Sequence, residues 1–198
     1  NPLARSVGYV FYIEPGPAPG MNIAYWGPEI KTGVPQPALN INMDAHTNVE
    51  ALNFSFNGAS KSLPIVYIQN EETHVPIPIP IPDISPWNPP LGLIPSIPVN
   101  FPVLEDTANL NPIQAIALGL AEASRSSDAI TGVGTLDVIR YGHILKARAL
   151  VGVRGAGTAF DGLYFVKKVK HKIQKGKYKQ EFTLSRNGLV STIPKVPS

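Results

Sequence analysis

Gly162-Leu163-Tyr164-Phe165-Val166-Lys167-Lys168-Val169-Lys170-His171-Lys172-Ile173, a turn at Gln174-Lys175-Gly176, and the return Lys177-Tyr178-Lys179-Gln180-Glu181-Phe182-Thr183-Leu184-Ser185-Arg186 decide the fold of this chain. Both runs are rich in β-branched and aromatic residues and are joined by one glycine-bearing turn, which predicts a long antiparallel hairpin. In the return strand Tyr178, Phe182 and Leu184 share one parity, while Lys177, Lys179, Glu181, Thr183 and Ser185 share the other. One face therefore packs, and the other, with seven lysines along the hairpin, meets water or a partner. On this reading Leu163, Phe165, Val169, Ile173, Tyr178, Phe182 and Leu184 are mostly buried.

The rest of the chain agrees with a mainly β protein. Its 198 residues suffice for one large domain or two small ones with a real core. Charged residues make up 16%, and the 21 prolines and 17 glycines argue against a helical bundle and for strands joined by many turns. There is no cysteine, which excludes a disulfide scaffold and a thiolate nucleophile or ligand. The formal charge of +3 is modest, its basic residues concentrate toward the C-terminus, and a nucleic-acid partner is not expected. No apolar run approaches the length of a membrane span, so insertion into a membrane by this chain is not expected. No signal-peptide pattern is present at the N-terminus. The chain opens at Asn1 in mid-pattern and reads as the second half of a longer protein.

Working back from the hairpin, Leu150 to Val153 and Gly134 to Arg140 read as strands, and Asn111 to Ala123 as a helix. Asn111 is its N-cap, Pro112 its first residue, and Ile113, Ile116, Ala117 and Leu120 form its apolar face. Further upstream, Leu3 to Gly8 reads as a helix end. Tyr9 to Ile13 with Asn22 to Trp26 reads as a hairpin, Ala38 to Phe56 as two more strands, and Leu63 to Ile68 as another. Leu39, Ile41 and Met43 alternate with Asn40, Asn42 and Asp44 in the first of those two strands. Between Pro76 and Pro102 the composition changes abruptly, beginning Pro76-Ile77-Pro78-Ile79-Pro80-Ile81-Pro82. Alternate prolines remove every second donor and fix φ near polyproline II, so this stretch reads as a stiff extended arm, neither interior strand nor helix. Its apolar residues, Ile77, Ile79, Ile81 and Trp87 among them, are too sticky for a solvated spacer and predict an arm lying against protein. The division expected is 1–72 for the first strands, 73–108 for the arm, and 109–198 for helix, barrel strands and basic hairpin.

Chemistry is harder to place. Gly152-Val153-Arg154-Gly155-Ala156-Gly157 has the glycines of an anion loop, but a strand rather than a helix follows, so it reads as a bend. His46, His74, His143 and His171 show no ligand spacing, and Glu14, Glu50, Glu71, Glu72, Asp83, Glu105 and Asp106 form no catalytic pair. No catalytic residue, metal site or cofactor is expected, and the protein does not read as an enzyme.

Four stretches together resemble the C-terminal part of the phage late control gene D protein family. They are Gly142 to Gly157 with Leu145-Lys146-Ala147-Arg148 and Leu150-Val151-Gly152-Val153-Arg154; Phe160-Asp161-Gly162-Leu163-Tyr164; Val169, His171 and Ile173; and Tyr178 to Leu189 with Arg186-Asn187-Gly188-Leu189. Leu3-Ala4-Arg5 with Gly8-Tyr9-Val10-Phe11-Tyr12 is similar to that family's mid-chain junction. The resemblance implies an antiparallel β-barrel tube domain in a structural baseplate hub subunit. Such a hub is a homotrimer of contractile phage tails or injection systems, related to the hub half of VgrG-type spikes. It joins the hexameric tail tube to a trimeric spike. Implied partners are further copies of the chain, the tail tube protein, a separate spike protein and other baseplate proteins. The implied location is a virion tail or injection-particle baseplate, assembled in the bacterial cytoplasm. Interface residues expected from the sequence are Lys168, Lys170, Lys177 and Lys179 on the hairpin and Ile77, Ile79, Ile81 and Trp87 on the arm. The rival reading is a carbohydrate or cell-wall-binding β-module, or the remnant of a tail lytic enzyme, with Trp26, Trp87 and several tyrosines as a sugar platform.

Overall fold

The computed structural model describes residues 2–59, 61–69, 72–73, 75–104, 107 and 110–193. His74, Glu71, Glu105 and Asp106 lie outside the described residues. Along the chain run α1 (Pro2–Ser6), β1 (Val10–Pro15), β2 (Asn22–Gly27), β3 (Gln36–Asn40), a short 3-10 turn (Asp44–His46), β4 (Val49–Phe56), β5 (Ile65–Gln69), β6 (Pro76–Pro80) and β7 (Gly92–Pro95). They continue as α2 (Pro112–Ser126), β8 (Ile130–Asp137), α3 (Val138–Tyr141), β9 (Leu150–Arg154), β10 (Gly162–Gln174), β11 (Lys177–Arg186) and β12 (Gly188–Ser191). The fold is mainly β. The chain forms two compact units, one of Asn1–Ile30, Lys61–Asn88 and Pro98–Ser126, the other of Lys31–Ser60, Pro89–Ile97 and Ser127–Ser198.

The second unit is built on a curled, half-barrel sheet of six strands in the order β3-β9-β10-β11-β8-β4. Most neighbours are antiparallel, as the sequence predicts, but β3 runs parallel to β9, with Gln36 opposite Val151 and Leu39 opposite Val153. At one end of the sheet Asn48 ties the edge strands: its Oδ1 accepts from the Asn40 amide at 2.7 Å and its Nδ2 donates to the Ala38 carbonyl at 2.9 Å. The alternation through Ile41 and Met43 predicts a longer β3. The strand stops at Asn40 because Asn42 and Asp44 take left-handed φ values of 51° and 48°, a conformation Asn and Asp tolerate best.

Leu39, Ile130, Leu136, Tyr164, Phe182 and Leu184 are fully buried in the main core of this unit. Gly132 and Gly134 of β8 make its tight packing possible. A Cβ on Gly134 would stand 2.5 Å from the Phe182 ring, and one on Gly132 would stand 2.8 Å from the Phe54 ring. Each ring lies across a glycine on the neighbouring strand, filling the space a side chain would take. The sequence also predicts that Val138-Ile139-Arg140 continues a strand. Instead Asp137 caps α3, its carboxylate accepting from the amides of Ile139 at 2.8 Å and Arg140 at 3.3 Å, so the chain turns helical there.

In the first unit β1 and β2 form the expected hairpin. α2 begins as predicted, with the Asn111 side chain accepting from the Ile113 amide at 3.0 Å. Its buried face differs from the predicted one. Ile113 is 77% exposed and Ile116 also faces outward, while Ala115, Gly119 and Ala123 are buried. A Cβ on Gly119 would lie 2.7 Å from Ile81 and 3.0 Å from Val66. The backbone of α2 lies so close to these side chains that only small residues fit between.

Part of the proline stretch is an edge strand. β6 pairs antiparallel with β5, Pro76, Pro78 and Pro80 standing opposite Gln69, Tyr67 and Ile65. Ile77 and Ile79 keep the donors, and prolines at every second position leave the second edge of the strand without N–H donors, which agrees with the exclusion of an interior strand. The Ile81 amide then donates to Pro64 O at 2.9 Å. In the other unit β7 pairs with β12, where Asn187 Oδ1 accepts from the amides of both Leu91 and Gly92.

Candidate interface on the basic ribbon

A bulge at Lys167 decides how the ribbon presents its residues. Up to Val166, β10 sends Tyr164 and Val166 into the main core and Leu163 and Phe165 to a second cluster with Leu91 and Leu150. The register shifts between Val166 and Lys168, and an extra residue in one strand exchanges the two faces. Beyond it Val169, an odd-numbered residue like Phe165, packs on the main core opposite Phe182. Lys168, Lys170 and Lys172 turn to the outer face. Lys167 reaches Asp128 at 2.7 Å, and the same carboxylate holds the buried Lys31 at 3.2 Å, anchoring the start of the ribbon. Simple alternation, which ignores the bulge, puts Leu163 and Phe165 on the face of Phe182. The doublet Lys167-Lys168 is the signal that the alternation breaks.

The ribbon then outruns its neighbours. β9 pairs with β10 only as far as Phe165, and β8 pairs with β11 only from Lys179 to Arg186. From Lys168 to Gln174, β10 has β11 on one side and no ladder partner on the other among the described residues. The two-residue turn is closed by Gly176 at φ +76°.

Across the outer face Lys170 stands opposite Glu181, and Lys172 directly opposite Lys179. Glu181 bonds Lys172 and lies 3.9 Å from Lys170, while Lys179 reaches Glu50 at 2.6 Å. The hydrogen bond from Lys172, reinforced by the charges of Lys172, Lys170 and Lys168, holds the Glu181 carboxyl below its ordinary range. Lys168, Lys175 and Lys177 make no ion pair among the described residues, so positive charge outweighs negative on this face.

The inner face fades from core to solvent. Phe182 and Gln180 are buried, and Gln180 pins the preceding loop by accepting from Leu145 N and donating to Leu145 O, both at 2.9 Å. Tyr178 is half-buried, its hydroxyl 2.8 Å from His171 Nδ1. Ile173 is 72% exposed, contrary to the burial predicted for it, because it lies beyond the end of β8 and nothing in the unit reaches over it. The tip is thus amphipathic, cationic on one face and apolar on the other.

The four lysines expected at an interface, Lys168, Lys170, Lys177 and Lys179, are brought together on this ribbon. Ile77 and Ile79 lie on β6, Ile81 is buried against α2, and Trp87 sits in the turn after it, all in the first unit. Sequence reasoning missed Gln180 and Arg186. Gln180 is a polar residue on an apolar parity, which is a legible sign of a buried hydrogen-bonding role. Arg186 ends β11 fully buried, donating to the carbonyls of Gly188 at 2.8 Å, Asp161 at 2.8 Å and Ala159 at 2.5 Å, with Tyr164 beneath it. Burial lowers its pKa, and these three hydrogen bonds tie it to backbone carbonyls within the fold.

The glycine-rich segment is a bend. The Ala156 amide donates to Asp161 Oδ1 at 2.7 Å, and the amides of Phe160 and Asp161 both donate to Gly157 O. A carboxylate of the protein takes the amide that a bound anion would need, and β10 follows where an anion loop would require a helix. Among the described residues no three His, Asp or Glu side chains gather as a metal site. Among the described residues no helix is long and apolar enough to cross a membrane.

No family model and no curated protein matches the chain. Its fold is similar to two solved tail proteins. With the tail protein from Neisseria meningitidis MC58 it shares 14% identity at a TM-score of 0.59, over 95% of this chain and 53% of that one. With the 43 kDa tail protein of prophage MuSo2 from Shewanella oneidensis it shares 14% identity at a TM-score of 0.57, over 94% and 53%. The chain spans about half the length of these tail proteins.

Proposed function

We propose that this chain is a structural component of a phage tail or related injection particle, a baseplate hub subunit that joins the tail tube to the spike. The observation that carries the reading is the half-barrel sheet with its projecting basic ribbon, in a chain that is similar in fold, over 94 to 95% of its length, to proteins described as tail proteins. In this reading the half-barrel is a tube domain, copies of the chain associate as a homotrimer, and the partners are a tail tube protein, a separate spike protein and other baseplate proteins. The particle baseplate is the destination and the bacterial cytoplasm the place of assembly. The work is mechanical rather than catalytic.

The ribbon supports a partner-facing role in two ways. Its lysines outnumber the carboxylates that answer them, and β10 leaves a row of backbone groups open to a further strand. Like charges on that edge disfavour two copies meeting there face to face, so the ribbon suits an acidic neighbour.

The test is to co-express the chain with tube and spike proteins of its particle. Solution mass and electron-microscopic images of assemblies carrying a labelled chain are then recorded. The expected result is a three-fold assembly with the label at the tube-spike junction. A monomer that leaves the junction unlabelled overturns the reading.

A further inference from the structure

The open side of β10 has a chemistry that can be read residue by residue. The last backbone bonds made on that side among the described residues are those of Val166, which donates to Ala149 O at 3.0 Å and accepts from Arg148 N at 2.7 Å. Beyond the bulge the ladder with β11 runs to the pair Gln174 and Lys177, which closes the turn. On an antiparallel ladder bonded and non-bonded pairs alternate. Lys170 and Lys172 therefore spend their backbone groups on β11, and the N–H and C=O of Val169, His171 and Ile173 point away from it. From Lys168 to Gln174 no strand among the described residues lies on that side to take them.

Side chains of a strand laid against this edge would meet two different surfaces. On the outer face stand Lys168, Lys170 and Lys172. Lys170 and Lys172 share the single carboxylate of Glu181, and Lys168 makes no ion pair among the described residues. On the inner face Val169 packs on the main core, His171 turns to the Tyr178 hydroxyl at 2.8 Å, and Ile173 is 72% exposed. Lysines on an edge strand can serve only to keep other strands away. Such a guard gains nothing from an isoleucine left in water on its other face, whereas a docking edge does.

We infer that a strand from a different protein adds to β10 between Lys168 and Gln174, with acidic side chains at every second position over the lysines and apolar ones between them over Val169 and Ile173. The inference rests on the partner-facing reading of the ribbon and gives that partner its chemistry. Main-chain bonds supply the affinity in such an addition, and the alternating side chains fix register and choice of partner. A second copy of the chain does not fit. No two Asp or Glu residues in its sequence stand two apart, so no segment of it can set successive carboxylates on one face of a strand. Its own ribbon would bring lysine against lysine. A phosphodiester backbone would answer the lysines, but it has no donors for the open carbonyls and leaves Ile173 in water.

The 198-residue chain is titrated at low ionic strength with an end-capped peptide of alternating glutamate and valine, long enough to span Lys168 to Gln174, while amide shifts and hydrogen exchange are followed by NMR. In the free chain the amides of Lys170 and Lys172 should be protected, and those of Val169, His171 and Ile173 should exchange readily. Saturable binding should then protect Val169, His171 and Ile173. Replacing Lys168, Lys170 and Lys172 together with glutamine should weaken binding about tenfold or more, as should a control peptide with the same glutamates and valines in separate blocks. Equal binding of the block peptide, or binding without new protection at Val169, His171 and Ile173, would show that charge alone attracts an acidic neighbour. The strand addition would then fail while the partner-facing ribbon stood. Absence of saturable binding up to about 5 mM, or tighter binding of an oligothymidylate of similar length, also overturns the inference, and the assembly of the chain with tube and spike proteins judges the hub reading separately.

Discussion

Phe182 shows how a single residue carries the barrel core. It is 1% exposed, and its ring covers the bare backbone of Gly134 on β8. Phe182→Ala therefore removes the side chain's own burial and uncovers a glycine that has nothing else to fill the space. The expected loss is about 3 to 5 kcal/mol, read as a lower denaturant midpoint with unchanged slope. A loss below about 1 kcal/mol would mean that the site relaxes or is not core. Tyr141 gives a second residue-scale prediction, in pH. Its hydroxyl donates to Pro37 O at 2.6 Å, and burial pushes its pKa from 10.0 up to about 12. A group raised in the folded state contributes fully below the unfolded pKa and loses that contribution as pH climbs through the folded one. Stability should thus fall between pH 10.0 and about 12, and Tyr141→Phe should make that fall shallower. Buried Tyr164 is pushed up in the same direction, so the fall persists in the variant. Equal slopes in the two proteins would remove Tyr141 from the account.

At the scale of elements, much of the fold is legible where a period runs unbroken. The β1–β2 hairpin, the Asn111 cap and the core parity of Phe182 and Leu184 all follow from local pattern and turn chemistry. What escapes the sequence is decided by neighbours. The bulge at Lys167 reverses the faces of β10, and α2 turns Ala115, Gly119 and Ala123 inward, where Val66 and Ile81 leave no room for a side chain at Gly119. Propensity cannot report which face a second element will accept. The candidate interface was half legible: the lysine parity is plain, but its excess of charge depends on how few carboxylates, Glu50 from another strand among them, fold back to meet it. The proline stretch makes a sharp test. Hydrogen exchange should find the amides of Ile77, Ile79 and Ile81 protected, since they lie on the β5–β6 ladder or donate to Pro64. Exchange at the rate of an unstructured peptide would return this segment to a solvated spacer.

For the whole molecule the question is what the ribbon's charge does. Each unit gathers segments far apart in the chain, so the ribbon's support comes from residues such as Asp128 and Leu145 that no local run of sequence connects with it. A face supported in this way can change sign without unfolding, because exposed ion pairs are worth only about 0 to 1 kcal/mol. Lys168, Lys170, Lys177 and Lys179 all lie on the outer face, away from Phe182 and Gln180. Replacing the four with glutamate should leave the circular dichroism spectrum and the cooperativity of unfolding intact. It should block attachment to an acidic neighbour in the particle, and the wild-type assembly should weaken with salt, since charge at an interface rim is screened beyond about 10 Å at 0.1 M ionic strength. The decisive comparison is incorporation of both proteins into particles across a salt series. If the glutamate variant incorporates as well as wild type, with the same salt response, the ribbon is a solvated face and the partner-facing reading of it fails.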